Sequence, residues 1–289
     1  MNICVKASAL SCAILAGAAL ATTPAPGASV AAPAAARAGE PDMGKLLADK
    51  SAAMVTVKFV SKISMQGRDD FERETETTGV MIDGKGLVLC TSMQMGGVPA
   101  QYKGMVTVTP TNIKVLVGDD TEGVSAKVIT RDTDLDLAWV RIDKAPEKPY
   151  TFVDFAAGAK AEVKVGDQLL MVDRLGKFFD RAPLVGEMRV GAILKKPRTL
   201  YYPSGVMNRY GVPIFSGDLK AVGFAVLQSP SAEDEAADSD GSGGRDQLVV
   251  LPAAEVVSAT ERALKTAAEG AEGEASKDDA KKDAAPAGK

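Results

Sequence analysis

A hydroxyl or thiol becomes a nucleophile only beside a group that takes its proton, and the usual group is an imidazole. This chain of 289 residues contains no histidine. Its candidate nucleophiles, Ser92, Ser204, Ser216 and Cys90, therefore lack the ordinary base. Lys195 and Lys196 offer amines for a Ser–Lys pair, but no motif ties them to one serine. The residue types exclude the usual Cys/His zinc site as well. A Cys/His zinc site needs several such ligands, and after Cys4 and Cys12 only Cys90 remains. A lone cysteine also forms no internal disulfide, even where export permits one. Asp238-Ser239-Asp240-Gly241 begins like a calcium loop, yet the further spaced oxygens and terminal glutamate are missing. No metal and no cofactor is expected.

The composition is that of an ordinary globular protein, with 46% hydrophobic and 25% charged residues. The formal net charge is −4 and the pI about 5.2. Lys and Arg are scattered without a stripe to meet phosphates, so a nucleic-acid partner is not expected. Residues 1–22 read as a secretory signal: Lys6 gives a positive start, and Ala7 to Ala21 form a small-residue apolar core. That run is short and alanine-rich beside the roughly 20 strongly apolar residues of a membrane anchor. Cys12 lies too early, inside the apolar core, for a lipoprotein cleavage site. The signal implies a secreted or periplasmic protein, with no membrane contact beyond export.

The elements that must position any site follow from hydrophobic periodicity. Residues 23–43 are rich in Ala, Pro and Gly and read as a linker, and Met43 to Lys50 suit a short helix. Six short segments alternate or cluster as strands: Met54–Val60, Gly79–Ile82, Leu87–Thr91, Ile113–Val117, Ser125–Thr130 and Leu137–Ile142. Asp83-Gly84 and Gly118-Asp119 are turn chemistry. A second group comprises Gln168–Val172, Leu184–Leu194, Val212–Phe215, Ala221–Leu227 and Gln247–Leu251. Pro252 starts a helix to about Lys265, with Ala253, Val256, Val257, Thr260 and Leu264 on one face. Residues 229–246 form an acidic Ser/Gly/Asp loop, and 267–289 a charged tail with no core to bury.

Three segments, in order, resemble the HtrA type of trypsin-like serine protease. Thr77 to Met93 is similar to the family's G-S-G-x-x-I-x-x-x-G-x-I-L-T-N-x-H, which places Met93 at the histidine position. Asp132-Thr133-Asp134-Leu135-Asp136-Leu137-Ala138 resembles D-x-x-x-D-L-A, with Asp136 at the aspartate position. Asn208-Arg209-Tyr210-Gly211-Val212-Pro213 resembles G-N-S-G-G-P, with Tyr210 at the serine position. Val165-Gly166-Asp167 and Val250-Leu251-Pro252-Ala253 add weaker matches, so the likeness covers about residues 52–265.

The resemblance implies an all-β fold: two packed six-stranded antiparallel barrels, approximately 52–145 and 160–252, in a domain spanning 44–266, with a C-terminal helix. It implies no intact catalytic group, because methionine has no titratable proton and a tyrosine hydroxyl lies far from the backbone with a pKa of about 10. The oxyanion-hole positions fall on the backbone N–H groups of Asn208 and Tyr210. Asp136 is expected to be structural, Met93 core packing, Cys90 a buried strand residue and Trp139 core. Tyr210 either plugs the old site or presents its ring to a peptide. The resulting expectation is an exported pseudoprotease that binds a peptide or protein partner. An endopeptidase with a non-standard site and a structural protein of the bacterial envelope are the alternatives. HtrA relatives often form trimers, so the resemblance also implies a homo-oligomer.

Overall fold

Strand-forming residues alternate where one face is buried. In β1 (Met54–Met65), Val55, Val57, Phe59 and Ser61 point inward while Thr56, Lys58 and Lys62 point out. β2 (Phe71–Met81) pairs with it antiparallel, setting Val57 opposite Thr77 and Lys62 opposite Glu72. The computed structural model describes residues 40–98, 102, 104–205, 207–229 and 246–283, with side chains as far as 269. The signal, most of the linker, the acidic loop between 230 and 245 and residues 284–289 lie outside the described residues.

β3 (Leu87–Cys90), β4 (Val106–Leu116), β5 (Val124–Asp132) and β6 (Leu137–Ile142) complete the first barrel, closed in the order β1-β2-β3-β6-β5-β4. Gly79 faces its interior, where a Cβ would stand 2.6 Å from Val88 Cγ1. β7 (Gln168–Arg174), β8 (Pro183–Leu194), β9 (Leu200–Ser204), β10 (Pro213–Ser216), β11 (Ala221–Gln228) and β12 (Gln247–Pro252) close the second, in the order β10-β11-β12-β9-β8-β7. Two closed six-stranded antiparallel barrels are the trypsin-like architecture. Closure leaves no long unpaired edge.

The second group was one strand short in the sequence. Pro203 hides β9 from the sequence, because proline argues against a strand interior, yet Leu200, Tyr201 and Pro203 are buried and β9 pairs with β8 and β12. β2 also begins well before Gly79. Its outer half is charged on both faces and is held by cross-strand pairs such as Lys58–Glu74 at 3.3 Å.

α1 (Met43–Lys50) starts where expected, capped by Asp42, whose Oδ1 accepts from Lys45 N at 2.8 Å. It lies against β7 and β8. α2 (Ala253–Asp283) runs past Lys265 through sequence expected to be a coreless tail; alanine, glutamate and lysine there are strong helix formers. Its buried stripe is Ala253, Val256, Ala259 and Ala263, whereas Leu264 is exposed. The stripe tracks 3.6-residue periodicity and small residues let the helix approach closely. Trp139 of β6 donates its Nε1–H to Thr260 Oγ1 at 3.0 Å, tying the helix to the first barrel. Among the described residues no helix is long and apolar enough to cross a membrane.

Candidate functional site

Three local structures converge. The first is the turn after β3. Thr91 Oγ1 accepts from Gln94 N at 3.3 Å and donates to Gln94 Oε1 at 3.0 Å, and Met95 N bonds Thr91 O at 3.2 Å. This side-chain turn carries Met93, which is half-buried.

The second precedes β6. Asp132 Oδ1 accepts from the N–H groups of Asp134 and Leu135 at 3.1 and 3.0 Å. The resulting Asx turn delivers Asp136 in a left-handed conformation (φ 55°), which aspartate tolerates better than most residues. Its carboxylate is 3% exposed. Oδ1 accepts from Met93 N at 2.8 Å and Oδ2 from Leu227 N, in β11, at 3.0 Å. One carboxylate thereby bonds the backbone of both barrels.

The third is the loop entering β10. Gly211 has φ 78° and donates to Ala225 O at 2.8 Å. A Cβ there would meet Gln94 Oε1 at 2.7 Å, so this loop rests on the Thr91–Gln94 turn and needs its glycine. The N–H groups of Asn208 and Tyr210 donate to no described residue. Asn208 is exposed and does not adopt the left-handed backbone that its residue type would allow. Tyr210 is half-buried.

Met93, Asp136 and Tyr210 thus belong to three segments that meet. Burial pushes the Asp136 carboxyl up from the usual 3.8 to about 6, against its N–H donors, and the Asp246 charge adds to the rise. Burial also raises the Tyr210 phenol, helped by the negative charges of Asp136 and Asp246. A phenol in that field keeps its proton, which is the reverse of nucleophile activation. Cys90 is fully buried and burial pushes its thiol up to about 12. Ser204 donates to Arg189 O at 3.3 Å and Ser216 to Lys220 O at 3.2 Å, while Ser92 is 2% exposed.

Sequence reasoning passed over Asp173 of β7, which is 1% exposed. Its Oδ1 accepts from Arg174 N at 2.7 Å and from Thr78 Oγ1 of β2 at 3.3 Å. Arg209 Nη1, from the third loop, lies 2.9 Å from Oδ2, an ion pair not aligned as a hydrogen bond. Burial raises this carboxyl, and the Arg174 amide and Arg209 oppose the rise. The available signal was a carboxylate at the end of the apolar run Leu169-Leu170-Met171-Val172, ahead of Arg174.

The raised Asp136 value makes stability depend on pH. A carboxyl whose folded pKa exceeds its unfolded one stabilises the fold below the unfolded value and ceases to do so as pH rises through the folded value. Between pH 4 and pH 7, Asp136 therefore removes about 2 kcal/mol of stability. Denaturant unfolding of wild type and Asp136→Asn at both pH values checks this. The difference between them should move against wild type by that amount as pH rises; a constant difference would contradict it.

No protein-family model matches the chain, and no curated protein matches it. Among solved structures it is similar to the MamO protease domain from Magnetospirillum magneticum in its apo form. Identity is 20%, coverage is 69% of this chain and 94% of that one, and the TM-score is 0.42. It is similar to the HtrA-type protease AlgW with a tripeptide at 13% identity, covering 75% of this chain and 62% of that one, with a TM-score of 0.48. For Deg5 the identity is 14%, the coverage 74% and 90%, and the TM-score 0.49. At these identities the likeness concerns the fold alone.

Proposed function

We propose that this is an exported double-barrel domain that binds an extended peptide or protein segment without cleaving it. The observation that carries this reading is the Asp136 carboxylate. Both of its oxygens accept backbone N–H groups, one from each barrel, in a chain without histidine. Where a proton relay would run, Asp136 instead fastens structure. Tyr210 retains its proton in the negative field of Asp136 and Asp246, so neither base nor nucleophile is supplied. The Asn208 and Tyr210 N–H groups, which bond no described residue, are the donors left for a bound carbonyl. Export rests on residues 1–22. The burial of Cys90 and Ser92 and the hydrogen bonds of Ser204 and Ser216 weigh against a protease with a non-standard nucleophile.

Fluorescence anisotropy of labelled, unfolded casein titrated with the protein tests the reading. A saturable rise without fragments is expected, with a midpoint that moves in Tyr210→Ala. A time-dependent fall means cleavage and overturns the proposal. No change excludes general peptide binding, and a midpoint indifferent to Tyr210→Ala moves the binding away from this cleft.

A further inference from the structure

The hairpin between β7 and β8 ends in two aromatic rings that its own chain leaves largely uncovered. Phe178 is 91% and Phe179 58% exposed, and their centroids stand 4.9 Å apart, edge to face. The loop that carries them is firmly held. Phe179 N donates to Gly176 O at 2.9 Å, Asp180 N to Lys177 O at 3.1 Å and Ala182 N to Phe179 O at 2.9 Å. Asp180 and Arg181 both adopt left-handed backbones, with φ 51°, a conformation that costs free energy in residues other than glycine. Arg181 is fastened to Glu76 of β2 at 3.0 Å. The fold thus displays these rings on a rigid mount, against its own stability.

A pocket of the size of one such ring lies elsewhere, between α2 and the connection that joins the barrels. Its apolar walls are Ile82, Val153, Phe155, Ala156, Val256 and Val257, and its volume is about 160 Å³. A dry apolar cavity of roughly 150 Å³ takes a benzene ring. Asp154 and Glu261 complete the lining, and both are exposed. No described cation pairs with either of them.

We propose that this protein assembles head to tail, with Phe178 of one copy seated in the pocket beside α2 of the next. Lys177, which directly precedes the ring, then meets the carboxylates of Asp154 and Glu261. This goes beyond the binding reading and does not depend on it.

Size, charge and rigidity all suit that contact. The pocket holds one phenyl ring, and Phe178 is the more exposed of the two. Lys177 is exposed and pairs with no described carboxylate, so its charge is free to complement the acidic lining. The backbone bonds of the loop fix the ring before association, which lowers the ordering cost of burying it. Buried aromatic anchors in matched pockets dominate the energetics of interfaces. A bilayer would also take the rings, but Asp180 beside them repels anionic headgroups and the pocket would be left without a role. A knob and a pocket on different elements make a heterologous contact, which closes into a ring or continues as a chain of copies.

Sedimentation velocity of the protein over a concentration series tests the assembly. Wild type should associate as its concentration rises. Phe178→Ala removes the knob and Ala156→Trp fills the pocket, and each should weaken self-association by about tenfold or more. The decisive sample is the mixture of these two variants. One retains a pocket and the other a knob, so together they should form a one-to-one dimer that grows no further. A mixture that stays monomeric overturns the proposal. So does an Ala156→Trp protein that associates like wild type, because the rings then meet something other than the pocket. A wild type that is monomeric at every concentration overturns it as well. Should Ala156→Trp fail to fold, the exposed charges supply the same test. Lys177→Glu and Glu261→Lys should each weaken association, and their mixture should restore it; variants that associate no better mixed than alone overturn the contact.

Discussion

Gly158→Ala leaves no soluble folded protein. The one-turn helix Ala156–Gly158, in the connection between the barrels, presses against the backbone where β11 begins. A Cβ on Gly158 would stand 1.8 Å from the Ala221 carbonyl oxygen and 2.6 Å from its carbon. The obstacle is the Ala221–Val222 peptide backbone, so no rotamer change relieves it. The residue is buried and its φ is not left-handed, so the whole effect is steric rather than conformational. Relief requires β11 to shift, and β11 is paired with both β10 and β12. Overpacking of that kind costs more than about 3 kcal/mol, a large share of a marginal stability. Gly176→Ala is the control. Nothing lies within 4 Å of its Cβ position, and its φ of −68° and ψ of 169° suit any residue. Circular dichroism during urea unfolding should show Gly176→Ala within about 0.5 kcal/mol of wild type. A Gly158→Ala protein that unfolds at the wild-type midpoint would show that the contact is not as tight as described.

Asp136→Ala costs about 3–5 kcal/mol at pH 7. The substitution strips the acceptor from two amides in different barrels, Met93 N and Leu227 N, which a buried methyl group cannot replace. It also leaves a void where the carboxylate packed. Asp136→Asn keeps one carbonyl acceptor but turns an N–H₂ toward a donor, so it should fall between alanine and wild type. The order, with alanine lowest, separates lost hydrogen bonding from lost charge. Equal stability of the two variants would mean that the charge, not the acceptor pair, carries the contribution. Loss of less than about 1 kcal/mol in Asp136→Ala would remove the interbarrel role altogether.

Most of the barrel strands were legible because one buried face writes an alternating pattern, as in Val55, Val57 and Phe59. Where burial is absent the pattern is too, and the charged outer half of β2 around Glu72 and Glu74 was invisible for that reason. β9 was hidden by Pro203, which tertiary pairing tolerates and local propensity does not. At the site, the absence of histidine is plain in the sequence, and Asp136 stands out there as the aspartate of the Asp-Leu-Ala match. The partners of Asp136 could not be anticipated, because Leu227 lies 91 residues away and contributes only an amide that every residue type possesses. Asp173 and Arg209 are 36 residues apart and announce nothing singly, so their pairing emerges only when β7 and the third loop are side by side.

The bond from Trp139 to Thr260 has a practical consequence. Trp139 is the chain's one tryptophan, it is 1% exposed, and its indole N–H is held by the C-terminal helix. Indole emission depends on the polarity and hydrogen bonding around the ring. The molecule therefore carries a single-site optical gauge at the junction of helix and barrel. Lifting the helix shifts that emission toward longer wavelength, and detachment of this one element can be followed in real time without attaching any dye.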